Sequence, residues 1–296
     1  MVLQHTVDTG LLDQYPTRTG EPLQHMERVD PTVWGQIGTE ALTGFGTDGY
    51  AVLDDLLSPA EVAEFSAEIA RLATDTSLAE DDRVVRERSS NRVRSVFEVH
   101  KLSAAVADLV RQSRISGPAR EVLGSEVYLH QTRINYMPGF RGNGFYWHSD
   151  FETWHAEDGM PAPRAVSLSI ALTDNYPVNG SLMVMPGSHR TYVPCQGSTP
   201  AENYRESLQE QEFGVPTPSD IAILAERHGI TQFTGRAGSG LLFDSNIMHG
   251  SSNNITPYPR SNIFLVFNSV ENTLAEPFAA PARRPGYIAA RDYTPV

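Results

Sequence analysis

The sequence has little cysteine and no long apolar run, and both absences restrict where the protein works. Cys195 is the only cysteine, so no disulfide can form within the chain, and a reducing compartment is the simplest setting. No stretch reaches the roughly eighteen apolar residues that a membrane span requires. The first ten residues lack the basic and apolar regions of a secretory signal. We therefore expect a soluble, cytoplasmic protein with no membrane partner.

The chain also lacks an excess of basic groups and any sign of internal division. Its formal net charge is -13 at pH 7, which argues against a nucleic-acid partner because binding to phosphates needs a basic face. A length of 296 residues is enough for one large core. No low-complexity linker or internal repeat interrupts it. We therefore expect a single domain over residues 1–296.

A histidine and an aspartate two residues apart indicate a metal site. His148 and Asp150 lie in residues 145–161, which read FYWHSDFETWHAEDGMP. In an extended segment, residues i and i+2 point to the same side, so an imidazole and a carboxylate at this spacing can bind one ion. A lone His-x-Asp tripeptide also arises by chance, so the prediction depends on a third ligand elsewhere in the chain.

Two further residues complete the predicted site. His249 follows an apolar, strand-like run, and Arg260 opens a second apolar run that extends to Phe267. Two imidazoles and one carboxylate leave one face of an octahedron open, as in Fe(II) oxygenases that must also hold a co-substrate and O2. The planar guanidinium of Arg260 suits a carboxylate, such as the distal one of 2-oxoglutarate.

Residues 145–161 resemble the signature segment of the ectoine-hydroxylating branch of the phytanoyl-CoA dioxygenase-like family, whose members depend on Fe(II) and 2-oxoglutarate. The similarity covers most of the chain, from residues 13–18 to the arginine-containing tail. It implies conversion of L-ectoine, O2 and 2-oxoglutarate into 5-hydroxyectoine, succinate and CO2, in compatible-solute biosynthesis under osmotic stress. It also implies a homodimer. Related iron halogenases lack the metal-binding carboxylate, so Asp150 argues against halogenation.

The resemblance implies roles for residues beyond the motif. The catalytic centre and Fe(II) ligands would be His148, Asp150 and His249. The implied contacts of 2-oxoglutarate are Gln131, Asn135, Ser167, Ser251, Arg260, Asn262 and Phe97. The candidates for the ectoine pocket are Gln131, Arg133, Thr153, Trp154, Phe243, Phe264 and Arg284. Ectoine carries a carboxylate and a cyclic amidinium, so aromatic faces and donor groups suit it. For Phe243 and Phe264, an ordinary place in the core is the competing interpretation.

Hydrophobic periodicity predicts a mixed α+β fold that is mainly β. Helices are expected at about 58–73, from Ser103 through Val110, at 118–123 and at 219–227. Strands are expected at 128–136, 165–173, 181–186, 240–245 and 262–270. With the resemblance, this indicates a double-stranded β-helix, the jelly-roll or cupin-like core, braced by flanking helices. We expect a helix-rich part at 1–125, the core at about 126–270 and an extended tail at 271–296 that is placed to act as a lid.

Two of these strands are expected to line a polar cavity. Gln131, Arg133 and Asn135 share one face of the first strand, with a solvent-exposed polar face as the alternative. On strand 165–173, Ser167 and Ser169 share a narrow inner face, and the larger apolar residues share the outer one.

Other polar residues near the motif have simpler interpretations. Glu152 is a competing metal-binding carboxylate, His155 is expected to support the site from a loop, and His189 is expected to be structural. Two other functions stay open at this point. The first alternative is a related oxygenase that acts on another small molecule. The second is a non-enzymatic, cupin-like binding protein.

Overall fold

The computed structural model describes residues 12–87, 91–208 and 213–296. Its strands, in chain order, are β1 (Met26–Glu27), β2 (Tyr50–Leu53), β3 (Val84–Arg86), β4 (Val93–Phe97), β5 (Val127–Met137), β6 (Phe145–His148), β7 (Ala165–Ala171), β8 (Leu182–Val184), β9 (Thr191–Tyr192), β10 (Thr231–Gln232), β11 (Gly240–Asp244), β12 (His249–Ser251) and β13 (Arg260–Ser269). Its α-helices are α1 (Phe45–Asp48), α2 (Pro59–Thr74), α3 (Val99–Leu102), α4 (Ala104–Arg111), α5 (Ser113–Leu123), α6 (Asp150–Thr153), α7 (Tyr204–Ser207) and α8 (Pro218–His228). A π-helical turn, Trp154–Asp158, comes directly after α6.

Two antiparallel sheets form the core. The larger sheet has seven strands in the order β2-β11-β7-β13-β5-β4-β3, and the smaller has four in the order β10-β8-β12-β6. Strands β1 and β9 pair separately. This arrangement, with helices beside the sheets, is the mainly β jelly-roll architecture that the sequence predicts.

The outer face of the larger sheet carries the main hydrophobic core. Leu168 and Ile170 of β7 belong to one buried cluster with Ile134 of β5 and with side chains of α2, α4 and α5. Burial of each such side chain contributes roughly 1.5–3 kcal/mol. The predicted packed outer face of residues 165–173 is confirmed, and Ser167 and Ser169 lie on the opposite, inner face.

Helices α2 and α4 begin where the sequence predicts, at Pro59 and Ala104, and the helix predicted at 219–227 begins one residue earlier, at Pro218. The side chain of Ser58 caps α2 and that of Thr217 caps α8, each in a reciprocal capping box, and Ser103 Oγ accepts from Val106 N at the start of α4. These side chains satisfy amide groups that have no partner within the helix. None of the described helices is long and apolar enough to cross a membrane.

The sequence interpretation is wrong at two boundaries. Helix α5 begins at Ser113, ahead of the predicted start at Pro118, because Ile115, Ala119 and Val122 bury one continuous apolar face across the proline. The core also extends beyond residues 126–270. Strands β2, β3 and β4, from the part predicted to be helix-rich, complete the seven-stranded sheet by pairing with strands far along the chain.

Candidate metal centre and active site

The two candidate histidines face each other across a pair of strands. His148 on β6 and His249 on β12 are direct partners in the antiparallel register. The spacing predicted that His148 and Asp150 share one strand, and this is wrong. Strand β6 ends at His148, and Asp150 is the first residue of α6. The residue between them, Ser149, is extended (φ -105°, ψ 128°) and caps α6 with its hydroxyl. The extended Ser149 therefore keeps the two ligands on one side although the strand has ended.

The three side chains have the geometry of a metal site. Asp150 Oδ1 lies 3.7 Å from His148 Nε2, and Asp150 Oδ2 lies 3.9 Å from His249 Nε2. One ligand atom from each residue falls within 4.8 Å of the other two. Since metal–ligand bonds are about 2.0–2.2 Å long, atoms at these separations can bind one ion. The donor set of two imidazoles and a carboxylate fits ferrous iron.

Hydrogen bonds orient both imidazoles for binding through Nε2. His148 Nδ1 lies 2.7 Å from the carbonyl oxygen of Tyr146, and His249 Nδ1 lies 3.0 Å from that of Ile247. Because a carbonyl oxygen only accepts, each Nδ1 carries the proton and each Nε2 keeps a free lone pair. The rings are thus fixed in the tautomer that a metal ion requires.

The protonation states of the site suit a cation. Burial, assisted by the neighbouring His249, lowers the pKa of His148 to about 4, so this ring is neutral at pH 7. Burial acts to raise the pKa of Asp150, but His249 and His148 outweigh it and the net shift is downward. Ser167 Oγ donates to Asp150 Oδ2 at 3.2 Å. Metal binding therefore requires no proton to leave either group at neutral pH.

A cavity between the sheets adjoins the metal ligands. The sequence-predicted residues that line it are Phe97, Gln131, Arg133, Asn135, Thr153, Trp154, Ser251, Arg260, Phe264 and Arg284. Further lining residues, which the sequence interpretation did not assign, are Ser95, Phe145, Leu182, Ser207, Leu208 and Gly250. Ser95 lies two residues before Phe97 and Phe145 opens the signature segment, so the sequence could have predicted Ser95 and Phe145 as lining residues. No sequence signal marks Ser207 and Leu208.

Three of the predicted contact residues, Ser167, Asn262 and Phe243, are not among the residues that line this cavity. Ser167 is occupied by its hydrogen bond to Asp150. Asn262 Nδ2 donates to Ser169 Oγ at 2.9 Å, and the ring of Phe243 lies 5.0 Å from that of His249. Strand alternation predicts the inward face correctly, but it does not separate residues that reach the cavity from those that support it.

The inner face of the larger sheet is polar, as predicted from the alternation on β5. Arg133 Nη1 donates to Gln131 Oε1 at 2.6 Å, and Gln131 Nε2 donates to the carbonyl of Ile288 in the tail at 2.7 Å. The Arg133 guanidinium also stacks 4.9 Å from the ring centre of Phe264, its cross-strand partner. The solvent-exposed alternative for these residues is wrong.

Arg260 is a buried cation without an acidic partner. It is 7% exposed, and its Nε and Nη1 atoms have no hydrogen-bond acceptor among the described residues. Burial lowers its pKa to about 10, and the nearby Arg94 acts in the same direction. A buried charge in this condition is costly unless an anion reaches it. The position beside the metal ligands fits a carboxylate of a ligand in the cavity.

The π-helical turn brings Trp154 into the cavity lining. The edge of its indole meets the ring of His130, with centres 5.0 Å apart. At the end of the same turn, Asp158 accepts from Arg284 Nε at 2.7 Å and from Nη2 at 2.6 Å. Arg284 therefore reaches the cavity with one edge of its guanidinium already bound.

Two other residues of the signature segment support the turn. Glu152 is not a metal ligand, because it accepts from Arg18 Nε at 3.0 Å and Nη2 at 2.8 Å and from Thr17 Oγ1 at 2.6 Å. His155 stacks on Phe278 with ring centres 4.0 Å apart, which agrees with its predicted supporting role.

His189 also has the structural place expected of it. It is fully buried behind Gly49, where a Cβ atom would collide with its ring. It does not line the cavity beside the metal ligands.

The chain has close relatives of known name and structure. A family model for phytanoyl-CoA dioxygenase (PhyH) matches residues 45–262. The ectoine dioxygenase of Nocardia farcinica is 74% identical over 298 residues, covering 100% of both chains. The crystal structure of EctD from S. alaskensis with 2-oxoglutarate and 5-hydroxyectoine matches with a TM-score of 0.86 at 45% identity, covering 96% of both chains. The same protein with bound Fe matches with a TM-score of 0.83 at 44% identity, covering 95% of both chains.

Proposed function

The chain belongs to the phytanoyl-CoA dioxygenase family, and on that premise we propose that it is an Fe(II)- and 2-oxoglutarate-dependent dioxygenase that hydroxylates L-ectoine to 5-hydroxyectoine. The co-substrates are 2-oxoglutarate and O2, and the co-products are succinate and CO2. One observation carries the proposal above the others. A buried triad of His148, Asp150 and His249 adjoins the same cavity as Arg260, whose guanidinium has no acidic partner among the described residues.

The residues around the triad hold its ligand atoms in place. Iron bound by the triad supplies the chemistry that couples oxidative decarboxylation of 2-oxoglutarate to hydroxylation of the substrate. The carbonyl groups of Tyr146 and Ile247 fix the two imidazoles, and Ser167 fixes one oxygen of Asp150. Phe243 packs against the ring of His249 and limits its rotation. These contacts support a site that is formed before its ligands arrive.

We assign Arg260 to the distal carboxylate of 2-oxoglutarate, because no acid among the described residues acts on it, whereas Asp150 acts on Arg133 and Asp158 pairs with Arg284. Gln131, Phe97 and Ser251 line the same cavity and complete this subsite. Ser95 Oγ donates to Asn135 Oδ1 at 2.8 Å, which leaves the amide hydrogens of Asn135 for a ligand oxygen. Asn262 and Ser167 act from behind the wall through their own hydrogen bonds.

Other residues of the cavity lining provide the groups that ectoine needs. Trp154 and Phe264 present aromatic faces for the amidinium, and Arg133 and Arg284 present donors for the carboxylate. Thr153 lies beside Trp154 in the lining. The burial of Trp154 and Phe264 keeps bulk water away from the reacting groups.

We also propose that the whole chain forms one domain and acts in the cytoplasm as a homodimer during osmotic stress. The single cysteine supports a reducing compartment, and the family resemblance supports the dimer and the physiological role. Light scattering coupled to size-exclusion chromatography measures the oligomeric state, and an elution mass near 32.6 kDa would contradict a dimer.

The decisive experiment is product analysis with the purified chain, ferrous iron, 2-oxoglutarate, O2 and ectoine. We expect 5-hydroxyectoine and succinate in equal amounts, and neither product from the His249→Ala variant. Proline and L-2,4-diaminobutyrate derivatives serve as competing substrates. If 2-oxoglutarate is consumed with one of these and ectoine stays intact, the substrate assignment is wrong. If 2-oxoglutarate is never consumed, the enzyme assignment is wrong.

A further inference from the structure

The three arginines that line the cavity differ in their acidic partners. Arg260 has no carboxylate acting on it among the described residues, and Asp150 is the acid that acts on Arg133. Arg284 alone forms a two-bond ion pair, with Asp158, and the exposed fractions of the two side chains are 6% and 0%. Among the described residues, Arg284 is therefore the cavity arginine that is held by a two-bond ion pair, and Arg133 and Arg260 are not held in this way.

Asp158 also fixes the orientation of its partner. Its two oxygens bind the Nε and Nη2 atoms of Arg284, and no described residue accepts a hydrogen bond from Nη1. Asp158 Oδ2 lies 3.3 Å from His130 Nε2, and His130 in turn contacts the Trp154 ring. The carbonyl oxygen of Asp158 accepts from Arg291 Nη2 at 2.9 Å. One carboxylate thus links two residues of the proposed ectoine pocket.

No neighbouring acid among the described residues can replace Asp158 in this role. Glu157 Oε2 lies 3.8 Å from Arg284 Nε, but Glu157 Oε1 accepts from Arg18 Nη1 at 2.6 Å and from Asn203 Nδ2 at 2.9 Å. Because Arg18 is shared between Glu157 and Glu152, Glu157 keeps part of its charge near Arg284, but at 3.8 Å it forms no hydrogen bond that would orient the guanidinium.

We propose that Asp158 is a positioning residue that orients Arg284 and weakens its attraction for dianions, so that this end of the cavity selects a zwitterion while Arg260 receives the dicarboxylate. The inference rests on the proposed function, because ectoine is a zwitterion and 2-oxoglutarate is a dianion. A neutral ion pair offers a directed donor to the ectoine carboxylate without attracting dianions. An Arg284 without its two-bond partner would compete with Arg260 for 2-oxoglutarate.

The variant Asp158→Asn tests the proposal because it keeps the shape of the side chain and removes its charge. We expect the KM for ectoine to rise by about tenfold or more, since a charged hydrogen-bonded partner of Arg284 is lost. We also expect high 2-oxoglutarate concentrations to inhibit the variant competitively against ectoine, and not to inhibit the wild-type chain. The 2-oxoglutarate KM measured at saturating ectoine should stay within about twofold of the wild-type value.

Asp244→Asn is the matched control. Asp244 forms another buried aspartate–arginine pair, with Arg28 Nη1 at 2.8 Å, and it does not line the cavity. Loss of its charge should lower the melting temperature without producing competition between 2-oxoglutarate and ectoine. A similar inhibition in both variants would mean that the effect is a general loss of structure, and the proposal would be wrong.

Two further variants separate charge from orientation. Asp158→Glu keeps the charge and displaces it, so we expect a raised ectoine KM with no inhibition by 2-oxoglutarate. This variant carries the test if Asp158→Asn does not fold, and an unchanged ectoine KM would overturn the proposal. If Asp158→Asn folds, the double variant Asp158→Asn, Arg284→Gln should show no inhibition by 2-oxoglutarate, because the cation that attracts the dianion, Arg284, has been removed.

The same measurements distinguish the two levels of inference. A wild-type chain that forms no 5-hydroxyectoine contradicts the proposed function itself. The other outcome is that the wild-type chain forms 5-hydroxyectoine, while Asp158→Asn has an unchanged KM for ectoine and is not inhibited by 2-oxoglutarate. That outcome leaves the proposed function in place and contradicts the role of Asp158.

Discussion

Single residues decide whether the centre can hold iron. Each of His148, Asp150 and His249 supplies one ligand atom, and two ligands alone hold a ferrous ion weakly. We predict that alanine at any of these positions abolishes iron binding and turnover while the fold is retained. Iron content and far-ultraviolet circular dichroism on the same sample check this, and full activity in one variant would remove that residue from the triad.

Replacement of Arg260 tests the subsite for 2-oxoglutarate. In Arg260→Lys the charge stays, but a single ammonium group cannot form two parallel bonds to a carboxylate. We predict that the KM for 2-oxoglutarate rises by about tenfold or more, with a smaller change in the KM for ectoine. Arg164→Lys is the control, because Arg164 stacks on Trp34 away from the cavity. Equal effects of the two substitutions would count against the assignment.

Replacement of Trp154 tests the ectoine side of the cavity. A cation over an indole face contributes roughly 0.5–2 kcal/mol, so Trp154→Ala should raise the ectoine KM several-fold and leave 2-oxoglutarate binding nearly unchanged. Anaerobic titration of 2-oxoglutarate into the iron complex, followed by an ectoine assay, separates the two ligands. The control is Trp34→Ala, which removes an indole that packs against the main core. If Trp34→Ala changes the ectoine KM and 2-oxoglutarate binding as Trp154→Ala does, the role of Trp154 is packing.

At the level of secondary structure, the helices support the sheet and take little part in chemistry. Ser58 and Thr217 cap α2 and α8, and neither residue lines the cavity. We predict that Ser58→Ala and Thr217→Ala each lower the free energy of unfolding by about 1 kcal/mol, with unchanged kinetic constants. Urea denaturation and steady-state assays measure the two quantities. A large loss of activity would connect these helices to the site.

Signals that lie close together in the sequence predicted these elements well. The capping box at Ser58 predicts the start of α2 because both of its partners lie within one turn of each other. Strands β2, β3 and β4 escaped prediction because their partners, in β11 and β5, lie far along the chain. A strand of three to five residues carries too short a pattern to be recognised without its neighbours.

The site shows the same division. The motif and the family resemblance identified the triad and Arg260, since each belongs to a recognisable sequence segment. They could not show that Asp158 occupies one edge of Arg284, or that Asn262 bonds to Ser169 and stays behind the wall. Such pairings depend on side-chain contacts between distant segments.

For the molecule as a whole, burial of His148 predicts how stability depends on pH without metal. Its pKa in the folded state is about 4, against an ordinary value of about 6.5 in the unfolded chain. Between these values the unfolded chain binds more protons, so the free energy of unfolding should fall as pH decreases, by up to about 1.4 kcal/mol per pH unit from this group. Urea denaturation of the iron-free protein from pH 7.5 to 4.5 measures the slope.

The control is His148→Gln, which removes this titration. A slope equal to that of the parent protein would show that other groups control the pH dependence. Asp158 does not interfere, because burial acts to raise its pKa but Arg284 outweighs burial and lowers the pKa to about 2. The contribution of Asp158 is present above its ordinary pKa and is lost only as pH falls towards 2.

The buried acids of the turn after Asp150 also affect the order of events during synthesis. Glu152 and Glu157 pair with Arg18 near the beginning of the chain, and Asp158 pairs with Arg284 near its end. A growing chain that lacks its last residues therefore leaves Asp158 without its counter-charge, and an unpaired carboxylate favours contact with water over burial. We expect the turn to close, and the iron site to become complete, only after the last part of the chain has left the ribosome.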